Sequence, residues 1–94
     1  MAQLFIRHKV KDYATWKPLF EEHGAERKAA GCKGGRLFRS EKDPNEVMVL
    51  FEWENLDKAH KFAESENLGQ KMERAGVVGK PEIYFLEEIE KFAM

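Results

Sequence analysis

The sequence predicts an α+β fold of the ferredoxin-like kind, a sandwich whose four-stranded antiparallel sheet carries helices on one face. Three observations point there. Four short stretches read as strands, two longer stretches repeat apolar residues every three or four positions, and together they follow the order βαββαβ, that of a split βαβ unit. The 94 residues make one domain, 1–94, and leave no room for a second. A chain of this size buries roughly 60–70% of its unfolded surface, so association would reinforce a modest core.

The first strand is QLFIRHKV, 3–10, with Leu4, Ile6, His8 and Val10 on one face and Phe5, Arg7 and Lys9 on the other. Asp12 or Thr15 can cap the following helix. If Thr15 is the cap, Pro18 is the third helical residue, where its missing N–H costs nothing. The helix runs to about Ala30 and Gly31 stops it. Its stripe is Tyr13, Trp16, Phe20, His23, Arg27 and Ala30. KGGRLFRS, 33–40, is a weaker strand, and Asp43-Pro44-Asn45 supplies turn chemistry. EVMVLFEW, 46–53, is β-branched and aromatic, the clearest strand in the chain. Asn55 can cap a helix over 56–64 with Leu56, Ala59, Phe62 and Ala63 inward, and Ser65 a second piece carrying Leu68, Met72 and Ala75. Gly76 and Gly79 open a loop, and Pro81 leads into PEIYFLEEI, the last strand.

Two helical stretches cover one sheet face, so the other should be polar if it meets water. It is not: Met48 and Leu50 share one face of the third strand opposite Val47, Val49, Phe51 and Trp53, and Tyr84 and Leu86 oppose Ile83 and Phe85. At about 25 cal/mol per Å², four or five wet apolar side chains forfeit several kcal/mol. The simplest cover is the same face of a second copy, a two-fold homodimer.

Charge and composition exclude several classes. Net charge is −1, with no basic excess for nucleic-acid binding, and EVMVLFEW does not match the aromatic, glycine-containing third strand of RNA-recognition domains, so no nucleic acid is expected. The amino terminus lacks the apolar run of a signal peptide and no stretch suits a transmembrane helix, so a cytoplasmic location without membrane contact is expected. One cysteine, Cys32, allows no intramolecular disulfide, and its place after Gly31 gives it no helix N-terminus to activate it. His8, His23 and His60 have no short ligand spacing, and GCKGGR at 31–36 lacks the phosphate-loop pattern, so neither a metal nor another cofactor is expected.

Three segments, HKVKDYATWKPLF at 8–20, DPNEVMVLFEWENLDKAHKFAES at 43–65 and LGQKMERAGVVGKPEIYFLEE at 68–88, resemble the dimeric α+β barrel superfamily, the group of antibiotic-biosynthesis monooxygenase-like proteins and small proteins labelled cyclases. The resemblance implies a homodimer whose two sheets form a barrel, with a ligand pocket in each subunit between sheet and helices. It does not fix the chemistry, because family activities include cofactor-free oxygenation of aromatic polyketides, haem degradation, lactone isomerisation and decarboxylation.

The residues suggest the chemistry such a pocket would hold. His8, on the apolar face of the first strand, would be a general base if that face meets the helices. His23 and Arg27 extend the Trp16–Phe20 stripe. Buried there, they need partners, which an anionic or enolate-like ligand would supply, with Arg27 stabilising charge and His23 moving a proton. Trp16, Phe20, Trp53 and Tyr84 would line the pocket against a small hydrophobic or aromatic ligand. Tyr13 is a weaker wall candidate, and His60 reads as a surface residue. The readings that follow are a cofactor-independent monooxygenase or cyclase acting on an aromatic polyketide-like compound, or a non-catalytic dimer that binds a small molecule.

Overall fold

A computed structural model describes residues 2–94, apart from the side chains of residues 66 and 67. Within them, four strands and four helices follow in order: β1 Ala2–Val10, α1 Tyr13–Glu22, α2 Gly24–Ala30, β2 Cys32–Arg39, β3 Glu46–Trp53, α3 Leu56–Ala63, α4 Glu66–Arg74 and β4 Val77–Glu87. The strands form one antiparallel sheet in the order β2-β3-β1-β4, the ferredoxin-like arrangement expected.

The first helical stretch is two helices rather than one, while the second is in two pieces as expected. The first breaks at His23, just before Gly24, a poor helix former. The break barely disturbs the helical register, since His23 N–H still donates to the Leu19 carbonyl and Arg27 N–H to that of His23. The predicted stripe therefore keeps one direction across both pieces. Asp12, not Thr15, is the cap, its carboxylate accepting from Thr15 N–H at 3.2 Å. Pro18 is thus the sixth helical residue, not the third, and leaves the Ala14 carbonyl without its usual donor. Gly31 ends α2 with φ 115°, a conformation that a side chain would strain. Asn55 and Ser65 cap α3 and α4 as expected.

Asn45, in the β2–β3 turn, fixes where α1 leaves the sheet. Its side-chain oxygen accepts from Tyr13 N–H at 3.0 Å, and its carbonyl accepts from Val10 N–H at 2.9 Å.

The face bearing Leu4, Ile6, His8 and Val10 meets the helices, joined there by Val47, Val49, Phe51 and Trp53 of β3. Trp16 and Ala59 close this core from the helix side. Leu56 does not join it, being 39% exposed at the start of α3. On the opposite face a row of residues in register, Arg36, Leu50, Phe5 and Tyr84, crosses all four strands. Phe38, Met48 and Leu86 flank it, and Arg7 is held between Glu46 and Glu82.

β4 begins earlier than the sequence suggested and carries an irregularity instead of following a loop. Arg7 pairs with Glu82 and Lys9 with Val78, so His8 alone on β1 stands opposite Gly79, Lys80 and Pro81. Gly79, at φ 75°, lets the backbone make this bulge, and Pro81 removes a donor from the ladder.

Gly35 has a steric reason to be glycine. A Cβ there would run into the Leu50 carbonyl oxygen and stand 3.1 Å from Phe51 Cα, both backbone atoms that cannot rotate away. Gly35→Ala should push β2 off β3. Chemical denaturation should show a loss of about 2–4 kcal/mol, the scale of severe strain in packed structure. Gly69→Ala, a site inside α4 with nothing within 4 Å of the added carbon, serves as the control and should gain up to about 1 kcal/mol from helix propensity.

Candidate functional site

Between the helices and the sheet lies a cavity of about 350 Å³, within the range of roughly 300–1,000 Å³ usual for small-molecule sites. The sheet supplies Ile6, His8, Val49 and Phe51 as its floor. The α1–α2 stripe supplies Trp16, Phe20, His23, Arg27 and Ala30 as one wall. Opposite stand Phe62 of α3 and Leu68, Met72 and Ala75 of the α4 side, the apolar positions read from the sequence as inward-facing.

His8 is the unusual member. It is 7% exposed, and neither ring nitrogen has a hydrogen-bond partner. Its ring meets the Trp16 edge at 5.5 Å between centroids. Burial with no counter-charge lowers its pKa from 6.5 to about 4, so at neutral pH it is uncharged. A buried imidazole with both nitrogens idle forfeits about 1–3 kcal/mol. Since no protein group bonds to the ring, a ligand's polar group is what would recover that loss.

Arg27 is held in place. Its Nη2 donates to the Phe20 carbonyl at 2.7 Å, and the guanidinium lies over the Phe20 ring, 4.1 Å from its centroid. Burial pulls its pKa down, opposed by the nearby Cys32 sulfur. A guanidinium nonetheless stays charged at any physiological pH. Phe20 itself stacks on Trp16 at 4.9 Å, so cation and aromatic wall form one continuous stack.

His8, His23, Arg27, Trp16 and Phe20 therefore share one cavity. Trp53 and Tyr84 lie elsewhere. Trp53 is fully buried, packed 4.9 Å from Phe62 beyond the cavity wall, and its indole N–H has no partner. Tyr84 is 48% exposed on the far face of the sheet beside Phe5, because the one-residue alternation of β4 turns it away from the helices. Tyr13 packs on Trp16 and receives the Arg39 guanidinium on its ring. His60 is partly exposed, stacked on Phe85 at 3.7 Å and 3.5 Å from Glu64.

Sequence reasoning missed the polar rim. Glu26 of α2 and Lys71 of α4 form an ion pair that joins the two helical stretches, and both line the cavity, as does Lys61. Lys71 sits one position before Met72 on an amphipathic helix, and that adjacency was the one available signal. Among the described residues, no three His, Cys, Asp or Glu side chains converge as metal ligands, and no helix is long and apolar enough to cross a membrane.

The sequence profile of antibiotic biosynthesis monooxygenases matches residues 3–74, from β1 through α4. The chain belongs to the antibiotic biosynthesis monooxygenase family. Solved structures of the family share its fold. SnoaB, a cofactor-independent oxygenase from Streptomyces nogalater, superposes with a TM-score of 0.77 at 14% identity, covering 99% of this chain and 97% of its own. A Bordetella bronchiseptica protein, described provisionally as an antibiotic biosynthesis monooxygenase, gives 0.78 at 18% identity over 95% of this chain and 97% of its own. A Caulobacter crescentus CB15 protein with the same provisional description gives 0.73 at 21% identity over 95% and 90%. Among proteins of curated function, none matches the chain.

Proposed function

We propose that this monooxygenase-family chain is a homodimeric, cofactor-independent oxygenase of small aromatic compounds that carry an acidic C–H or O–H, such as anthrones and quinols. The observation that carries the reading is His8, an uncharged imidazole with both nitrogens free, set in an aromatic cavity. Family membership and the SnoaB-like fold support it.

The chemistry needs a base, a place for negative charge and exclusion of water. His8 takes a proton from the substrate, leaving an enolate or carbanion. The product anion faces the new imidazolium and the Arg27 guanidinium, which stabilise it in a poorly hydrated site. The carbanion gives electrons to dioxygen, and a carbon–oxygen bond forms to make a hydroperoxide. Loss of water then leaves a carbonyl, so a methylene and one dioxygen become a ketone and one water. His23, on the wall of the same cavity, would return or remove the second proton. Ring closure of a polyketide-like chain needs the same deprotonation but no oxygen.

A second reading is favoured by one feature. An imidazole whose pKa is about 4 is a weak base, and no carboxylate is hydrogen-bonded to it to strengthen it. That suits a protein that binds the compound without turning it over.

Purified protein should be given an anthrone and a quinol in air while oxygen uptake and product are followed. Oxygen consumed in step with ketone, and lost in a His8 variant, is the expected result. Product without oxygen uptake would indicate ring closure. A thermal shift with no product would leave the binding reading. Full activity in both His8→Leu and His23→Ala would remove the proposed base and shuttle.

A further inference from the structure

The four helices are not held alike. α1 is anchored in the core by Trp16 and α3 by Ala59, whereas among their described residues neither α2 nor α4 has a buried one. α2 takes its place from α1, since the hydrogen-bonded register runs through the break at His23 and Arg27 is bonded back to the Phe20 carbonyl. α4 has no such continuity with α3. Ser65 between them is extended, with ψ 137°, so the chain changes direction there. At the other end Gly76, at φ 86°, turns the chain into β4.

Both turning points are pinned. Ser65 Oγ donates to the Phe62 carbonyl at 3.0 Å and accepts from Leu68 N–H at 3.1 Å, and the Gly76 carbonyl accepts from Lys11 N–H at 2.9 Å. Between these points α4 rests on the cavity. Leu68, Met72 and Ala75 line it and are only half-buried. Side chains that face an empty volume lack packing partners on that side, so lifting them forfeits little dispersion. A segment held in this way opens at a lower free energy than the core beneath it. The Glu26–Lys71 ion pair ties the middle of α4 to the opposite wall. Lys71 is half-buried and Glu26 exposed, so the pair lies where the cavity meets solvent.

We propose that α4 is a lid on the cavity, hinged at Ser65 and Gly76 and latched by Lys71 against Glu26, and that ligand enters and leaves when the latch parts. The proposal rests on the reading of the cavity as a ligand site and adds how that site opens. α2 is the fixed side of the mouth and α4 the side that moves. Closed, the apolar stripe of α4 keeps water from the idle nitrogens of His8. The latch joins the same two side chains whether the cavity is empty or filled. It therefore sets the rates of entry and exit together and leaves affinity nearly unchanged.

The test compares the parent, Glu26→Lys and the charge swap Glu26→Lys/Lys71→Glu. In the single variant Lys71 and Lys61, both on the cavity rim, repel the new ammonium. Stopped-flow mixing with N-phenyl-1-naphthylamine, a neutral aromatic probe that brightens in apolar surroundings, gives the association and release rates. Both should rise by about three- to tenfold in Glu26→Lys, with Kd within about twofold, and the swap should return them most of the way to the parent values. Hydrogen exchange without ligand should show residues 66–75 exchanging faster in the single variant while β1 and β3 keep their protection. Rates that ignore the reversal, or a loss of protection shared by the strands, would overturn the lid and leave the pair a plain structural contact, with the cavity reading untouched. No uptake of the probe by the parent would overturn the cavity reading and the lid with it.

Discussion

His8→Leu should make the protein more stable and, on the proposed chemistry, inactive. Leucine is close to histidine in volume and brings no polar atoms to a site where neither ring nitrogen has a partner. Relief of that unsatisfied group should add about 1–2 kcal/mol, offset in part by imperfect packing against Trp16. For a domain of this size that is a rise in Tm of roughly 4–8 °C per kcal/mol. Oxygen uptake with an anthrone should fall by about 10²–10⁴-fold, the usual contribution of a positioned general base. The two readouts must move in opposite directions. A variant that loses both stability and turnover would show that His8 supports the fold through its packing against Trp16. One that gains stability and keeps turnover would place the base elsewhere.

The same residue sets a pH dependence whose sign follows from its burial. The folded-state pKa, about 4, lies below the ordinary 6.5. Between these values the unfolded chain binds a proton that the folded chain refuses. Stability therefore falls as pH drops from about 6.5 to about 4 and loses no more through this group below that; the contribution is roughly 3 kcal/mol at most. Carboxylates titrate in the lower part of this range too, so the comparison that isolates His8 is the difference between the parent and His8→Leu. The acid limb of kcat/KM should likewise lie near pH 4 and not near 6.5, since it is the neutral imidazole that accepts the proton. A limb at 6.5 would mean that the active base is a solvated histidine.

The sequence revealed those parts of the fold that rest on local rules. Strand β3 was legible to the residue because β-branched and aromatic side chains alternate cleanly, and Gly31 marked the end of α2 because only a left-handed conformation fits there. The Trp16–Phe20–His23–Arg27 stripe was legible too, and it survived a helix break that its periodicity did not reveal. Features set by pairing between distant segments were not legible. The bulge opposite His8 depends on how Gly79–Pro81 registers with β1, which Gly and Pro alone present as a loop. Trp53 and Tyr84 looked like pocket walls because they are large and amphipathic. Trp53 shares a sheet face with the cavity floor but lies past its end, and Tyr84 is one residue out of phase with that face.

Leu50→Glu should turn a dimer into a monomer. Leu50 and Phe5 are cross-strand partners on the two central strands, with Tyr84 the next neighbour across β1. Phe38 is 46% exposed and Leu86 39%, so apolar surface extends outward from that centre towards the sheet edges. The ion pairs of Arg7 with Glu46 and Glu82 form a charged row beside it, as a polar rim borders a buried patch. In the proposed two-fold assembly this face meets itself, so the introduced carboxylate of each chain would be buried near its own symmetry mate. An unpaired buried charge costs several kcal/mol, and like charges brought together add to it. Dimer affinity should therefore drop by about a thousandfold or more. Light scattering at micromolar concentration should then report about twice 11.0 kDa for the parent and about 11.0 kDa for the variant. The parent's Tm should rise with protein concentration while the variant's should not, because only association adds a mass-action term. Since Leu50 points away from the helices, the ligand cavity is left intact. A parent that already scatters as a monomer would leave this apolar face without its proposed cover and would remove the homodimer from the functional reading.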